Sequence, residues 1–416
     1  MSPPLRRLLV IAYKFPPYAG VGGFRWAKLS KYLARLGHEV HVVTVPWRDH
    51  GPNTLVADAA EPGVTVHPIR SGSPHLLRHM PLSGRWTIAA RYLALRALDR
   101  VLFYDDEAQR WGRHLIGACE RLIDEHEIGV VIATGHPFQA NRWAAELKRR
   151  RPGLRLVQDF RDPWADNPFH PLSTRQAARV RAWQDETVTA ADAVVSVTPE
   201  LLELFLRGFP GKRGEVITNG VDPESVEGGP VPPPADGPVR LTHIGNVSNG
   251  RDRPLGALLE AVRGLGPGGP PIEVELVGAA LGLLRRAYPD LVAAGVLRVR
   301  DPLPQAEALR AVAHSHYALQ LNAREFPYGA STKVYEYALL RVPQISLNYG
   351  GFVDDLVREH GFGHSVDLSR DADLAGLLRS LPERAGPDRD GRFAFDFEPF
   401  THPALARRYS ALIESL

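Results

Sequence analysis

Short apolar runs without internal alternation recur along this chain, and segments with apolar residues at helical spacing separate them. The first run, Leu8–Ala12, has the length and composition of a strand buried on both faces. A glycine-containing loop at 14–23 follows, and Phe24–Leu36 has the apolar spacing of a helix. The next apolar run, Val40–Val45, predicts a second strand, so this region predicts a parallel β-α-β unit.

The same alternation continues through both halves of the chain and predicts an α/β fold. In the first half it predicts a helix and three more strands, at 111–126, 130–133, 154–158 and 193–197. In the second half it predicts five strands, at 239–244, 274–277, 296–300, 317–322 and 344–347. It also predicts two helices there, at 255–262 and 332–340. Residues 223–238 between the halves are rich in proline and glycine and predict a linker.

Length and composition limit the class of protein. The chain has 416 residues, which is enough for two domains with separate cores. A net charge of +3 is too small to indicate a nucleic-acid partner, and a single cysteine, Cys119, excludes an intrachain disulfide and a thiolate zinc cluster. No apolar stretch approaches the roughly 20 residues that a membrane span needs, and Leu8–Ala12 is too short for a signal peptide. We therefore expect a cytoplasmic protein.

A glycine pair, Gly22 and Gly23, lies in the loop after the first predicted strand. A dinucleotide-binding fingerprint would continue with a third glycine at position 25, where the chain has Arg25, so the pattern does not favour NAD. The pair could lie against a ligand or could form a purely structural tight turn, and both interpretations stay open here.

Polar residues follow two further strands of the first half. His136 comes just after the strand at 130–133, where parallel sheets bind ligands, and an imidazole can accept or donate a proton near neutral pH. The segment Asp159–Trp164 follows the strand at 154–158, and its Arg161, Asp162 and Trp164 could bind sugar hydroxyls and stack on a sugar face. The alternatives are a structural histidine–carbonyl contact and an ion pair between Arg161 and an aspartate within the loop.

The second half contains two loops that are suited to bind an anion. The loop Gly245–Arg253 enters the helix at 255–262, and Arg251 or Arg253 could neutralise the charge of a departing phosphate. A second loop reaches the helix at 332–340, where Ser331 or Thr332 can cap the free backbone N–H groups. Glu336, one turn into that helix, could accept hydrogen bonds from a sugar hydroxyl. The alternatives are solvated arginines beside a turn and an ordinary capped helix.

The segment Thr332–Tyr337, followed by Val342-Pro343, resembles the nucleotide-sugar signature of the retaining GT4-like glycosyltransferases of the GT-B fold, and Asp159–Trp164 resembles a motif of their exopolysaccharide and natural-product members. The resemblance implies two Rossmann-like domains facing each other across a cleft. It also implies the following division of the chain: an acceptor-binding domain at 1–222, a linker at 223–238, a nucleotide-sugar-binding domain at 239–397 and a helix at 398–416 that returns to the first domain.

The resemblance also implies roles for particular residues. It assigns catalysis to His136, Arg251, Lys333 and Glu336, and donor or nucleotide binding to Gly22, Gly23, Gly245, Arg253, Ser331 and Thr332. Acceptor or sugar contacts are expected at Arg161, Asp162, Trp164 and Glu325. The family usually carries two glutamates with seven residues between them. Glu336 corresponds to the second, and this chain has Tyr328 where the first would lie.

The expected activity is transfer of a sugar from a nucleoside diphosphate sugar to a hydroxyl acceptor, with retention and without a cofactor or a metal. The triplets Asp371–Asp373 and Asp388–Asp390 lie in polar segments without a preceding buried strand, so we interpret them as surface charge. The alternatives are a sugar-nucleotide epimerase of the same fold and a catalytically impaired relative, which the loss of the glutamate at Tyr328 would favour.

Residues 78–102 are predicted to contain a helix with a broad apolar arc and several arginines. This segment could contact an anionic membrane surface or a lipid-linked acceptor at the inner face of the membrane. A surface helix with solvated arginines is the alternative.

Overall fold

The computed structural model of the chain describes all residues except 1–5, 19, 48–54, 73–86, 88–89, 91–92, 95–105, 171, 226–230, 232–235, 267, 279–280, 330, 371–372 and 385–395. The chain forms two compact units, one made of residues 1–218 with 402–416 and the other of residues 219–401. The second unit therefore begins before the proline-rich segment 223–238. Val221, which precedes this segment, forms a parallel bridge to Thr401.

The first unit is built on a seven-stranded sheet with the order β3-β2-β1-β4-β5-β6-β7, in which every pair of neighbouring strands is parallel. The strands are β1 Arg7–Ala12, β2 Glu39–Thr44, β3 Val64–Pro68, β4 Val130–Gly135, β5 Arg155–Phe160, β6 Ala193–Ser196 and β7 Gly214–Val216. The strand order reverses between β1 and β4, and ligands of such sheets bind beyond the carboxyl ends of the strands at this point.

Helices cover the sheet of the first unit, and their apolar faces form its core. They are α1 Val21–Arg35, α2 Leu55–Ala59, α3 Gly112–Glu125, α4 Gln139–Arg150, α5 Thr174–Ala190, α6 Pro199–Leu206 and α14 His402–Glu414. The last helix, α14, packs on α1, where the rings of Trp26 and Tyr409 meet edge to face with centroids 5.2 Å apart. The C-terminal residues thus complete the core of the unit that contains the N-terminus.

The second unit repeats this topology with a six-stranded parallel sheet in the order β10-β9-β8-β11-β12-β13. The strands are β8 Val239–Ile244, β9 Ile272–Val277, β10 Leu297–Arg300, β11 Tyr317–Leu321, β12 Gln344–Asn348 and β13 Gly363–Asp367. Its helices are α7 Asp252–Gly264, α8 Gly282–Ala287, α9 Pro289–Ala293, α10 Gln305–Ala313, α11 Thr332–Leu339, α12 Phe352–Glu359 and α13 Leu374–Arg384. Its strand order reverses between β8 and β11, the counterpart of β1 and β4.

The predicted strands and helices agree closely with the observed ones because most of them are long apolar runs or well-spaced helices. The apolar pattern did not predict β3, β7 and β13, which are short or only half-buried. The segment 78–102, which was predicted to contact a membrane, lies outside the described residues except for positions 87, 90, 93 and 94. Among the described helices, none is both long enough and apolar enough to cross a membrane.

The two aspartate triplets are only partly described. Residues 371 and 388–390 lie outside the described residues. Asp373 accepts a hydrogen bond from the backbone N–H of Gly376 at 2.6 Å, so this carboxylate caps the start of α13.

Candidate functional site

A glycine loop and the start of α11 meet at the strand-order reversal of the second unit. Gly245 directly follows β8 and has a φ of 106°, a conformation that glycine adopts without strain. A Cβ added at Gly245 would lie 2.8 Å from the Lys333 Cε and 3.0 Å from its Nζ. The positive φ is what requires glycine here, and Lys333 lies directly against the loop.

The helix α11 is capped as the sequence predicts. Ser331 is the N-cap residue, and its hydroxyl accepts a hydrogen bond from the backbone N–H of Lys333 at 3.4 Å. Thr332 is the first helical residue. The N–H of Val334 donates to the Ser331 carbonyl at 3.3 Å, and the N–H groups still open at the helix start act with the helix dipole to favour an anion at this end.

Two cations, Lys333 and Arg251, lie at this point, and Glu336 is near Lys333 without forming an ion pair with it. Burial and the nearby Arg251 lower the pKa of Lys333, and burial lowers the pKa of Arg251. Within the part of the chain that the structure describes, neither side chain forms an ion pair. A pair of mutually repelling, partly buried cations is a binding site for an anion such as a phosphate.

Arg253, which the sequence could not separate from Arg251, has a different environment. Its Nη1 lies 2.6 Å from the Glu325 Oε1, and both side chains are exposed. A Cβ added at Gly250 would lie 2.6 Å from the other oxygen of Glu325, so this carboxylate rests on the glycine loop. The charges of Arg253 and Glu325 offset each other. This pairing argues against the predicted contact of Arg253 with the donor and of Glu325 with the sugar. It favours Arg251 as the anion-binding residue.

Glu336 lies half-buried one turn into α11. Its Oε1 accepts a hydrogen bond from the side-chain amide of Gln305 at 3.1 Å. Burial raises the pKa of Glu336, although the nearby Lys333 opposes this effect. A partly desolvated carboxylate with an oxygen available can bind ligand hydroxyl groups. Gln305, the first residue of α10, was not predicted as a site residue because nothing in the sequence places it beside Glu336.

His243 is a buried histidine that the sequence analysis did not select. Its Nδ1–H donates to the backbone carbonyl of Leu319 at 2.9 Å, and its Nε2 has no hydrogen-bond partner among the described residues. Burial and the charge of Lys333 lower the pKa of His243 to about 3, so the ring is neutral. A histidine inside the apolar run 239–244 was the available signal.

Tyr328 occupies the position at which the family usually has a glutamate. Its ring packs against that of Phe326, with centroids 4.7 Å apart. The half-buried Tyr328 therefore supplies an aromatic surface here instead of a carboxylate.

The glycine pair of the first unit lies in the first turn of α1 and not in the preceding loop. A Cβ added at Gly22 would lie 2.8 Å from the Lys14 Cδ, and one added at Gly23 would lie 3.1 Å from the Tyr18 carbonyl oxygen. Both glycines thus permit close packing of the loop onto the helix. This observation supports the structural interpretation and leaves their predicted contact with the donor untested.

Arg161 connects three loops at the strand-order reversal of the first unit. Its Nε donates to the Gly135 carbonyl at 2.9 Å, its Nη1 to the Gly22 carbonyl at 3.2 Å and its Nη2 to the His136 carbonyl at 3.4 Å. All three acceptors are backbone oxygens, so Arg161 positions the backbone around His136. No ion pair of Arg161 with an aspartate of its loop occurs among the described residues, and the expected sugar contact stays a prediction.

His136 lies where the sequence predicts, but its acidity differs from the expectation. Its ring stacks on Phe138 with centroids 5.6 Å apart, and its Nδ1 has no hydrogen-bond partner among the described residues. Burial and the positive charge of Lys14 lower the pKa of His136 to about 3. The lowered pKa keeps the ring neutral near pH 7, so it offers one N–H donor and one acceptor nitrogen. The catalytic role predicted for His136 stays a prediction.

The segment Asp159–Trp164 is more buried than the sequence predicts. Trp164 is 5% exposed and stacks on Phe138, with ring centroids 5.3 Å apart and planes at 15°. This burial argues against the expected stacking of Trp164 on a sugar. Asp162 is half-buried, and its predicted contact with the acceptor or sugar stays a prediction.

Asp159 lies inside β5 and is fully buried. Its carboxylate accepts hydrogen bonds from the Trp26 Nε1 at 2.7 Å, the Thr134 hydroxyl at 3.0 Å and the Tyr409 hydroxyl at 3.0 Å. The Arg25 Nε lies 3.3 Å from its Oδ2. This network joins α1, β4, β5 and α14, and the sequence analysis did not predict it.

Comparisons with known proteins identify the fold. Residues 25–225 match the family model of Glycosyltransferase Family 4. No curated protein sequence matches the chain significantly. A solved glycosyltransferase from Rickettsia africae ESF-5 is 13% identical with a TM-score of 0.67, and the match covers 99% of this chain and 98% of that chain.

Two further solved structures have the same fold. Alr3699/HepE from Anabaena, in complex with UDP, is 13% identical with a TM-score of 0.60, covering 99% of this chain and 100% of that chain. A putative UDP-N-acetylglucosamine 2-epimerase from Listeria monocytogenes is 14% identical with a TM-score of 0.55, covering 99% of this chain and 96% of that chain.

The parallel α/β architecture of both units and the similar solved structures show the GT-B fold with two Rossmann-like domains. The Glycosyltransferase Family 4 model matches residues 25–225, slightly less than half of the chain, and this match supports a GT4-like glycosyltransferase. The predicted resemblance, fold class and enzymatic nature are thus confirmed.

Proposed function

We propose that this enzyme transfers a sugar from a nucleoside diphosphate sugar to a hydroxyl acceptor, with retention at the anomeric carbon. The observation that carries the proposal is the pair of cations, Arg251 and Lys333, which form no ion pair among the described residues and lie beside the Gly245 loop and the start of α11. A diphosphate is the anion whose charge and size suit two cations and a helix N-terminus. The UDP bound by the structurally similar Anabaena protein supports the same class of donor.

The chemical step follows from this arrangement. As the bond between the sugar and the phosphate breaks, negative charge grows on the departing diphosphate, and Arg251 and Lys333 stabilise that charge in a partly desolvated place. In the proposed route the acceptor attacks the same face of an oxocarbenium-like sugar, and the departing phosphate takes up the acceptor proton. The protein then has to position two substrates and stabilise one leaving group.

Glu336 would bind hydroxyl groups of the donor. Its carboxylate is held by Gln305 at one oxygen, so the other oxygen can accept hydrogen bonds from the ribose hydroxyls of the nucleotide. In the first unit, the neutral His136 would accept a hydrogen bond from a substrate hydroxyl, and Arg161 would hold the loop that presents it.

We expect Glu336→Ala to weaken nucleoside diphosphate binding by about 1–3 kcal/mol, which is the usual cost of losing a hydrogen bond to a charged group. The measurement is calorimetric titration of UDP and GDP into the purified full chain. Glu307→Ala, which removes an exposed carboxylate from the neighbouring helix α10, is the matched control and should leave the affinity unchanged. Equal affinities of the wild type and Glu336→Ala would rule out the assigned role of this carboxylate.

We expect sugar transfer to proceed without a divalent metal. Arg251, Lys333 and the N-terminus of α11 supply the charge that a metal ion would otherwise supply to the leaving phosphate. Activity at a temperature well below the melting temperature should therefore survive excess EDTA, with a modest decrease if magnesium helps product release. Complete loss of activity in EDTA that manganese restores would contradict this charge argument.

An epimerase is the second candidate function, because a putative UDP-N-acetylglucosamine 2-epimerase shares the fold. An epimerase would convert the donor sugar when no acceptor is present, whereas a transferase would not. Chromatographic analysis of the nucleotide sugar after incubation without an acceptor separates the two. Nucleotide binding without any turnover of the donor would instead indicate an impaired transferase, which the tyrosine at position 328 would explain.

A further inference from the structure

A cluster of three histidines and one glutamate lies on β2, β3 and the end of α3 in the first unit. We call Glu39, His41, His67 and His126 the histidine cluster. Glu39 is the first residue of β2 and pairs with Arg7, whose Nη1 donates to the His126 carbonyl at 3.3 Å, so Glu39 and His126 lie at the amino ends of the strands. His41 and His67 lie farther along β2 and β3. The candidate site residues follow the carboxyl ends, so the cluster has no place in the proposed sugar transfer.

The topology explains how these residues meet. Glu39 and His41 lie two residues apart on β2 and therefore share one face of the strand. The register pairs His41 with Thr65 and Val43 with His67, which places His67 on the same face of β3. His126 ends α3, and its ring lies against that of His41, with centroids 4.1 Å apart.

The polar atoms of the cluster converge. A ligand atom from each of Glu39, His41 and His126 lies within 4.8 Å of the other two. The His41 Nε2 is 3.0 Å from the Glu39 Oε1, and the His41 Nδ1 is 3.1 Å from the His67 Nε2. The buried His41 ring thus has one nitrogen directed toward the carboxylate and the other held by a second imidazole.

We propose that Glu39, His41 and His126 bind one divalent transition-metal ion of the zinc class. Two imidazole nitrogens and a carboxylate oxygen form one of the ligand sets that zinc uses with three protein ligands and one open position. Zinc holds such atoms at about 2.0–2.2 Å, so the present separations can close on one ion through small side-chain rotations. The Glu39 side chain, which is 47% exposed, is free to make such a rotation.

Two neighbouring residues complete the site. His67 accepts a hydrogen bond from the His41 Nδ1–H when the metal takes the Nε2, which fixes the tautomer and the orientation of the ring. The Arg7 Nε lies 3.3 Å from the second oxygen of Glu39, so it holds the ligating carboxylate. The Arg7 Nη1 also lies 2.5 Å from Glu127, which offsets the positive charge that Arg7 brings near the ion.

The metal would join the start of β2 to the end of α3 and leave one coordination position for a water molecule.

The test is titration of Co²⁺ and Zn²⁺ into the full chain after removal of bound metal with a chelator and gel filtration. We expect one Co²⁺ per chain, with visible absorption bands typical of tetrahedral coordination, and displacement of Co²⁺ by Zn²⁺. Glu39→Gln and His126→Gln should each weaken the affinity at least about 10–100-fold, and His67→Gln should weaken it by about 10-fold. His314→Gln, which changes an exposed histidine outside the cluster, is the matched control and should bind as the wild type does.

A second readout guards against variants that fail to fold. Zn²⁺ should raise the melting temperature of the wild type and of His314→Gln but not of Glu39→Gln, provided that all three have the same circular dichroism spectrum. The absence of saturable one-to-one binding by the wild type, or equal affinity in all variants, would overturn the proposal and leave a hydrogen-bonded imidazole network. Because sugar transfer needs no metal in our proposal, EDTA should lower the melting temperature without reducing activity in the cold, which separates this test from that of the proposed function.

Discussion

Replacing Arg25 with methionine should destabilise the first unit by about 3–5 kcal/mol, the cost of leaving a buried charge without its partner. Arg25 is 4% exposed and faces Asp159, which is fully buried. Its guanidinium also donates to the backbone carbonyls of Ile217 at 2.7 Å and Thr218 at 2.5 Å. Methionine keeps most of the side-chain volume but removes the positive charge and these hydrogen bonds.

The acidity of Asp159 shows why the partner matters. Burial alone would raise the pKa of Asp159, but Arg25, Arg161 and the hydrogen bonds outweigh burial and lower it. The carboxylate is therefore ionised in the folded protein, and Arg25→Met would leave that charge in a place without water. The same network holds the start of α1 and, through the Tyr409 hydroxyl, the helix α14.

The measurement is the urea midpoint and slope of unfolding for Arg25→Met against the wild type. Arg35→Met is the matched control on the same helix, because Arg35 is 39% exposed and forms a surface ion pair with Glu61 at 2.9 Å. The control should lose about 0.2–1 kcal/mol. The double variant Arg25→Met/Asp159→Asn should recover part of the loss, because it removes the buried charge as well. Equal losses for Arg25→Met and Arg35→Met would contradict the importance of this network.

Replacing Arg251 with alanine should reduce kcat by about 10²–10³-fold, the effect usually seen when one group that stabilises a developing negative charge is removed. The charge on the diphosphate is greater in the transition state than in the bound donor. The effect on kcat should therefore exceed the effect on KM. Lys333 remains in the variant, so donor binding should weaken without being abolished.

The control for this experiment is Arg253→Ala. Arg253 has the same charge and lies two residues away, but Glu325 already neutralises it at the surface. We expect at most a small change in kcat and KM for this variant. An increase in KM alone for Arg251→Ala would assign Arg251 to binding of the ground state, and no effect at all would transfer the role to Arg253.

The candidate site shows where inference from the sequence is effective. Ser331, Lys333 and Glu336 lie at the start of one short helix, and Gly245 lies in the loop after an apolar strand, so local rules of turns and caps apply to each. Only the fold brings Gly245 against Lys333. Arg251 and Arg253 are equivalent by those rules. Only the ion pair with Glu325, a residue 72 positions after Arg253, distinguishes them.

The amino-acid sequence by itself determined the parallel α/β order, the approximate bounds of most strands and of a minority of the helices, and the resemblance to GT4-like glycosyltransferases. These properties depend on the periodicity of apolar residues and on motifs only a few residues long, which the chain carries without reference to its folding. Tertiary structure alone decided which polar groups lose water and which charges face each other. It buried Asp159 beside Arg25, turned Arg161 toward backbone carbonyls, and lowered the pKa of His136. It also brought His126 to Glu39 and His41, because burial and charge pairing depend on residues that are distant in sequence.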